Sequence, residues 1–277
     1  MDNERKYEAR DFDPDEPSVA RMYDYLLGGV HHYPADREGV EQLLMIAPST
    51  EAVAKINRAF LGRIVRTLVE DYGVRQFLDH GSGLPTQQNV HQIAQAIHPD
   101  CRVVYIDNDP MVLGAGRSLL AENDRTAVIH ADMRETERIF ADPEVQRLIK
   151  PGVKTAALFV SVLHCIRDDS NPTPAELVRS VADRLPQDAE CYMVISQLVS
   201  DRAYVRDGIT QLMAELTHNT WGQVRTPQEV LGYFDGMDVL QPGVVEVSSW
   251  RPAQTGLRPV QKTDEWIEYG GVARLRR

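Results

Sequence analysis

The ten residues Phe77-Leu78-Asp79-His80-Gly81-Ser82-Gly83-Leu84-Pro85-Thr86 constrain the fold more than any other stretch of the chain. The apolar run at 74–78 has the length of a buried strand. It meets an acidic residue and then two glycines one residue apart. A helical pattern follows at once in Val90, Ile93, Ala94 and Ile97, predicting a helix over 87–97. Strand, glycine turn and helix together bring backbone N–H groups and a helix N-terminus against a nucleotide-like ligand. Glycine suits such a turn because it tolerates positive φ and leaves the backbone open to close approach. By itself the turn is equally compatible with a purely structural role.

The rest of the chain repeats the alternation. Apolar runs predict further strands over 102–106, 127–130, 155–160 and 191–195, with helical patterns between them. Asp109-Pro110 predicts a capped helix start. Thr173-Pro174-Ala175-Glu176 and Thr226-Pro227-Gln228-Glu229 are capping boxes. A long helix is expected over 203–216. Two closing strands, 237–240 and 244–250, flank a Gln241-Pro242-Gly243 turn and predict an antiparallel hairpin. Strands alternating with helices imply a doubly wound α/β fold, mostly parallel, with helices on both faces.

Ahead of the first strand the pattern is helical. Residues 1–16 are highly charged and predict a flexible arm. Ser18 is placed as the N-cap of a short helix carrying Val19, Met22, Tyr23, Leu26 and Leu27, stopped by Gly28-Gly29. Asp36 is expected to cap a second helix, and a third begins at Thr50 with Val53, Ile56, Phe60, Leu61, Ile64, Val65, Leu68 and Val69 on its apolar face. The expected organisation is thus an arm (1–16), an N-terminal helical extension (17–72) and an α/β domain (73–277). Arg21, Tyr25, Gly28 and Gly29 are candidate lid residues over the ligand crevice.

In an open parallel sheet, ligands sit beyond the C-terminal ends of the strands. Here those ends carry Asp79, then Asp107-Asn108-Asp109, then Asp132-Met133, then Ser161 with His164, then Ser196-Gln197. Solubility alone does not account for such a series. Asp107 stands 24 residues past Gly83, the spacing of a carboxylate that accepts both ribose hydroxyls.

Composition narrows the partners. With 30 basic and 41 acidic residues the net charge is −11, which argues against nucleic acid or an anionic membrane as the main partner. The basic end Arg274 to Arg277 reads as a solvated terminus. The 3 cysteines, Cys101, Cys165 and Cys191, show neither a disulfide framework nor metal-ligand spacing. Their odd number and the lack of a signal peptide or membrane-length apolar run lead to the expectation of a cytoplasmic protein. His31-His32 has no third ligand nearby and reads as a loop, and no metal site is expected.

Leu78-Asp79-His80-Gly81-Ser82-Gly83, Val104-Tyr105-Ile106-Asp107-Asn108-Asp109-Pro110 and His130-Ala131-Asp132-Met133 resemble the class I S-adenosylmethionine-dependent methyltransferases. More specifically, Tyr23-Asp24-Tyr25-Leu26-Leu27-Gly28-Gly29, Asn57-Arg58-Ala59-Phe60-Leu61, Pro242-Gly243-Val244 and Tyr269-Gly270-Gly271-Val272 resemble one bacterial family. That family was long catalogued as a domain of unknown function and is now called S-adenosyl methyltransferase. The resemblance implies S-adenosylmethionine as cofactor and a methyl acceptor as substrate. It places Gly81 and Gly83 along the methionine part, Asp79 by its ammonium, Asp107 on the ribose, and Asp132, Met133 and Asn108 at the adenine. Ser161 and His164 would border the methyl group and the acceptor.

Pro85 stands where the methyltransferase pattern has its third glycine, and it removes a backbone donor. A dinucleotide-binding loop would place glycine or alanine at position 86, where this chain has Thr86, and Asp132 has no required role toward a nicotinamide cofactor. A nicotinamide-dependent oxidoreductase is therefore the weaker alternative, and a non-catalytic nucleoside-binding regulatory module is another. The preferred expectation is methyl transfer to a small-molecule O, N or C acceptor. His164 is the candidate general base, since a histidine titrates at about 6.5 when unperturbed; packing behind the crevice is the competing role. Trp250, Trp266, Tyr233 and Phe234 are candidates for an acceptor pocket, although aromatic residues near closing strands usually belong to the core.

Overall fold

The computed structural model describes residues 13–85, 88–120, 123–218, 221–252 and 265–276. Thr86, Gln87, the first twelve residues of the expected arm and Arg277 lie outside these.

Helices α1 (Val19–Leu26), α2 (Pro34–Ile46) and α3 (Thr50–Glu70) precede the sheet. Strands β1 (Gln76–His80), β2 (Arg102–Asp107), β3 (Thr126–His130), β4 (Thr155–Val160) and β5 (Cys191–Val199) then alternate with helices. These are α4 (Val90–Ile97), α5 (Pro110–Leu120), α6 (Thr136–Ala141), α7 (Pro143–Leu148) and α8 (Pro174–Arg184). After β5 come α9 (Ala203–Leu216), α10 (Pro227–Leu231), β6 (Met237–Val239), β7 (Val245–Glu246) and β8 (Ile267–Leu275). The sheet order is β3-β2-β1-β4-β5-β8-β6, with β7 also paired to β8. β1 to β5 are parallel; the pairings of β8 with β5, β6 and β7 are antiparallel. The expected fold class is present.

Side chains alternate between the two faces because successive strand residues point oppositely. Leu78, Val104, Ile106, Ala157 and Phe159 pack with helices on one face. Phe77, Val103, Tyr105, Ala156 and Leu158 pack under α3 and α4 on the other. A third cluster joins Met22, Val40, Leu43, Val53 and Ala54 of the N-terminal helices to Ile209 and Met213 of α9, with Trp221 and Trp266. Residue pattern explains α3: its first turns belong to this third cluster and the rest of its apolar face to the sheet.

Several sequence expectations need correction. The closing segments do not pair with each other; both line one edge of β8, a strand the sequence reading did not place. Gly270-Gly271 obscures it, because glycine is poor in strand interiors except where another backbone comes close. That exception applies: a Cβ on Gly270 would lie 2.2 Å from the Ile195 carbonyl oxygen. β5 runs four residues beyond 195, so Ser196 and Gln197 are buried strand residues rather than a strand end. α2 starts at Pro34 with Tyr33 as N-cap, and Asp36 supplies the return bond of the capping box. Ser18 precedes α1 but its side chain does not cap it; the hydroxyl instead donates to Asp109 Oδ2 at 2.8 Å.

Candidate active site

A cavity of about 670 Å³ opens at the C-terminal ends of β1 to β4, where the strand order reverses between β1 and β4. Its rim carries Asp79, Gly81, Gly83, Asp107, Asn108, Asp132, Met133, Ser161 and His164. All nine residues assigned to cofactor or catalysis from the sequence therefore meet in one place. The four lid candidates do not line it. α1 covers the cavity instead through Ser18, Val19, Met22, Tyr23 and Leu26.

Gly81 adopts φ +67°, and a Cβ there would meet Val162 Cγ2 at 2.2 Å. Its N–H donates to the Ile106 carbonyl at 2.8 Å, which ties the turn to β2. Gly83, at φ +68°, donates its N–H to Asp107 Oδ2 at 2.8 Å. Asp107 Oδ1 accepts from the Asp109 N–H at 2.9 Å. Burial raises the Asp107 carboxyl above its ordinary range, against the pull of these backbone bonds. The carboxylate thus joins the glycine turn to the end of β2 and retains further lone pairs for a ligand.

Asp79 is 6% exposed, and its side-chain carboxyl accepts no hydrogen bond among the described residues. Burial pushes it up to about 7; the Arg58 charge lowers it and the Asp107 charge raises it. A carboxylate so placed favours a cation beside it. Asp132 is held differently. Burial raises it, but the Arg134 bonds and charge outweigh that and hold it below the usual carboxylate range. Arg134 grips both its oxygens, with Nη2 to Oδ2 at 2.5 Å. A ligand amine reaching Asp132 therefore shares the carboxylate with a guanidinium.

His164 is 4% exposed, and its ring lies 5.6 Å from that of Trp221. Burial, with the Arg225 charge, depresses it to about 3. Nδ1 accepts from the Leu198 N–H at 3.5 Å; this assigned tautomer leaves the proton on Nε2, so toward a ligand the ring is a donor. His80 is fully buried in the core, stacked on Phe159 at 4.6 Å and depressed to about 3 by burial.

Several cavity residues were not singled out from the sequence as site residues. Glu268 of β8 is 1% exposed and accepts from the Ser161 hydroxyl. Ser161 sits at φ +58°, a conformation that costs a non-glycine residue about 1–3 kcal/mol and often marks functional sites. Asn57 Nδ2 donates to the Tyr23 hydroxyl at 3.1 Å, and Asn57 Oδ1 accepts from Ser196 Oγ at 2.9 Å. Burial pushes the Tyr23 phenol up to about 12. Trp266 lines the cavity, whereas Trp250, Tyr233 and Phe234 are core. The signal for Glu268 was one acidic residue opening an apolar segment whose paired glycines hid the strand.

Among the described residues no helix is long and apolar enough to cross a membrane. No curated protein matches the chain. A crystal structure of a putative methyltransferase from Thermobifida fusca YX is 35% identical, with a TM-score of 0.84 and coverage of 95% of this chain and 96% of that one. A duf574 family protein from Streptomyces avermitilis MA-4680 is 32% identical, with a TM-score of 0.83 and coverage of 95% and 99%. Residues 5–276 match the family described as S-adenosyl methyltransferase. Family, fold and an acidic-rimmed cavity at the switch point agree, and the nicotinamide alternative falls away: this chain belongs to the S-adenosyl methyltransferase family and is an S-adenosylmethionine-dependent enzyme.

Proposed function

We propose that the cavity binds S-adenosylmethionine along its acidic rim and transfers the methyl group to a small molecule held beneath the N-terminal helices. The carrying observation is the convergence of Asp79, Asp107 and Asp132, from three adjacent strands, with the Gly81–Gly83 turn on one cavity. This donor set fits the cofactor: a buried carboxyl without a hydrogen-bonded partner for an ammonium, an acceptor of two hydroxyls, and an acceptor for an exocyclic amine. When bound, the cofactor supplies a methyl group on a sulfonium that is already a good leaving group.

What remains for the chain is binding, alignment and exclusion of water. Asp79 and the glycine turn hold the amino-acid end, Asp107 the ribose, and Asp132, Met133 and Asn108 the base. α1, α3 and α9 close the other side. His164 in its assigned tautomer orients an acceptor as a hydrogen-bond donor; acting as a base would require the other tautomer. A small acceptor is supported by the cavity's volume, which is within the range of small-molecule sites. The bacterial origin of the two similar structures, the free cysteines and the absence of a membrane-length helix among the described residues support a bacterial cytoplasmic enzyme. Calorimetric titration with S-adenosylmethionine and S-adenosylhomocysteine tests the reading. Both bind the wild type, and Asp107→Ala weakens both; undiminished binding by a folded Asp107→Ala protein rejects the ribose assignment.

A further inference from the structure

The acceptor side of the cavity contains a second carboxyl that the cofactor does not require. Glu268 is nearly inaccessible, yet it lines the cavity together with the apolar and aromatic residues Met22, Leu26, Met213, Trp221 and Trp266. Ser161 donates to its Oε1, and Ser196 also reaches the carboxyl. Its Oε2 has no hydrogen-bond partner among the described residues, and no Lys or Arg there forms an ion pair with it. Burial pushes the carboxyl up to about 8, against the pull of the Ser161 and Ser196 hydroxyls. Apolar and aromatic lining with an orphaned acid among it suits a ligand that is greasy at one end and cationic at the other.

We infer that the methyl acceptor is an apolar or aromatic primary or secondary amine, bound with its nitrogen at Glu268. The amine enters as an ammonium, Glu268 gives up its own proton to solvent, and the two form an ion pair. Transfer of one proton from nitrogen to a Glu268 oxygen breaks an N–H bond, forms an O–H bond and returns the lone pair to nitrogen. The pair is then free to attack, and Glu268 is left neutral, the form its surroundings favour. The inference rests on the methyl-transfer reading of the cavity.

The test is calorimetry on the protein loaded with S-adenosylhomocysteine, using 2-phenylethylamine and the near-isosteric neutral 2-phenylethanol as probes. The amine should bind at least about 10-fold more tightly than the alcohol. In Glu268→Gln that preference should disappear through a loss on the order of 10- to 100-fold in amine affinity, with affinity for S-adenosylhomocysteine unchanged. Equal binding of amine and alcohol overturns the proposal, and so does failure of both probes on protein that binds S-adenosylhomocysteine. A Glu268→Gln protein that weakens for S-adenosylmethionine but not for S-adenosylhomocysteine assigns the carboxyl to the sulfonium and also overturns it. If S-adenosylhomocysteine itself does not bind the folded wild type, the cofactor reading fails first, and the proposal with it.

Discussion

The two walls of the cavity are built in opposite ways. The rim is made by neighbours in sequence: each strand delivers one polar residue to its own C-terminal end, and short turns keep it there. The cover is made by residues far apart in the chain. Ser18 bonds Asp109, Ser161 bonds Glu268, and the Trp266 indole donates to Thr50 at 3.2 Å across 216 positions. The rim therefore depends on strand register, the cover on packing between α1, α3, α9 and β8. A change on one side should be separable from a change on the other.

The most severe way to break that separation acts on β8. Gly270→Ala drives a Cβ into the backbone of β5 and should cost on the order of 4 kcal/mol, because backbone rather than a flexible side chain must yield. Denaturant unfolding checks this; a cost below about 1 kcal/mol would mean β8 shifts freely, and the two walls would not be rigidly joined.

Next in size is the tie within the cover. Arg21 pairs with Asp36 at 2.9 Å, both side chains nearly inaccessible. Asp36 also accepts from the Ser18 and Tyr33 N–H groups, each at 2.8 Å. Removing one partner of a buried pair costs about 3–5 kcal/mol. Arg21→Ala should therefore loosen α1 on α2 and raise acceptor KM more than it weakens cofactor binding. Equal losses in both would show that cover and rim act as one unit.

The rim is tested by Asp107→Ala, with an expected loss of about 100-fold in S-adenosylhomocysteine affinity, consistent with loss of hydrogen bonds to a charged group. Thermal stability should fall only modestly, since removing a buried charge offsets part of the loss of the acceptor for the Gly83 and Asp109 N–H groups. A large fall in melting temperature would mean that Asp107 serves mainly to fix the glycine turn through Gly83.

The smallest effect is the pH dependence of stability, and here the walls share a sign. Burial pushes Asp79 of the rim up to about 7 and Glu268 of the cover up to about 8, from 3.8 and 4.5. In the native state each keeps a proton that the unfolded chain has released, so the stability each contributes is lost as pH rises through 7 and 8. His80 and His164 run the other way. Burial lowers both to about 3 from 6.5, for His164 with the Arg225 charge. Their contribution is lost as pH falls from 6.5 toward 3. Stability should thus decline on both sides of a mildly acidic to neutral maximum. Combining Asp79→Asn with Glu268→Gln should remove the alkaline decline and leave stability rising with pH up to about 6.5 in melting curves taken across pH. An unaltered alkaline arm would mean that neither carboxyl holds a proton in the native state.

What could be read from the chain follows the same division. Capping boxes at Thr173 and Thr226, Asp109 as the cap of α5, and the bounds of α9 rest on interactions within a few residues, and all are present. Asp79, Asp107 and Asp132 could be placed together because a parallel sheet puts all its strand ends on one side. β8 was missed because Gly270-Gly271 weakens the local strand signal while answering to the backbone of β5. Glu268 was missed with it, and Tyr23 and Asn57 looked like ordinary positions on helices.

The sequence by itself determined the alternation, the doubly wound class and the acidic rim, since hydrophobic period and turn chemistry act over a few residues. Only the tertiary structure decided which helix faces close the cavity, which way Ser18 turns, and that the carboxyl from the last strand stands among the aromatics of the cover. Those outcomes depend on packing between segments far apart in the chain, where the energy lies in contacts that no local pattern encodes.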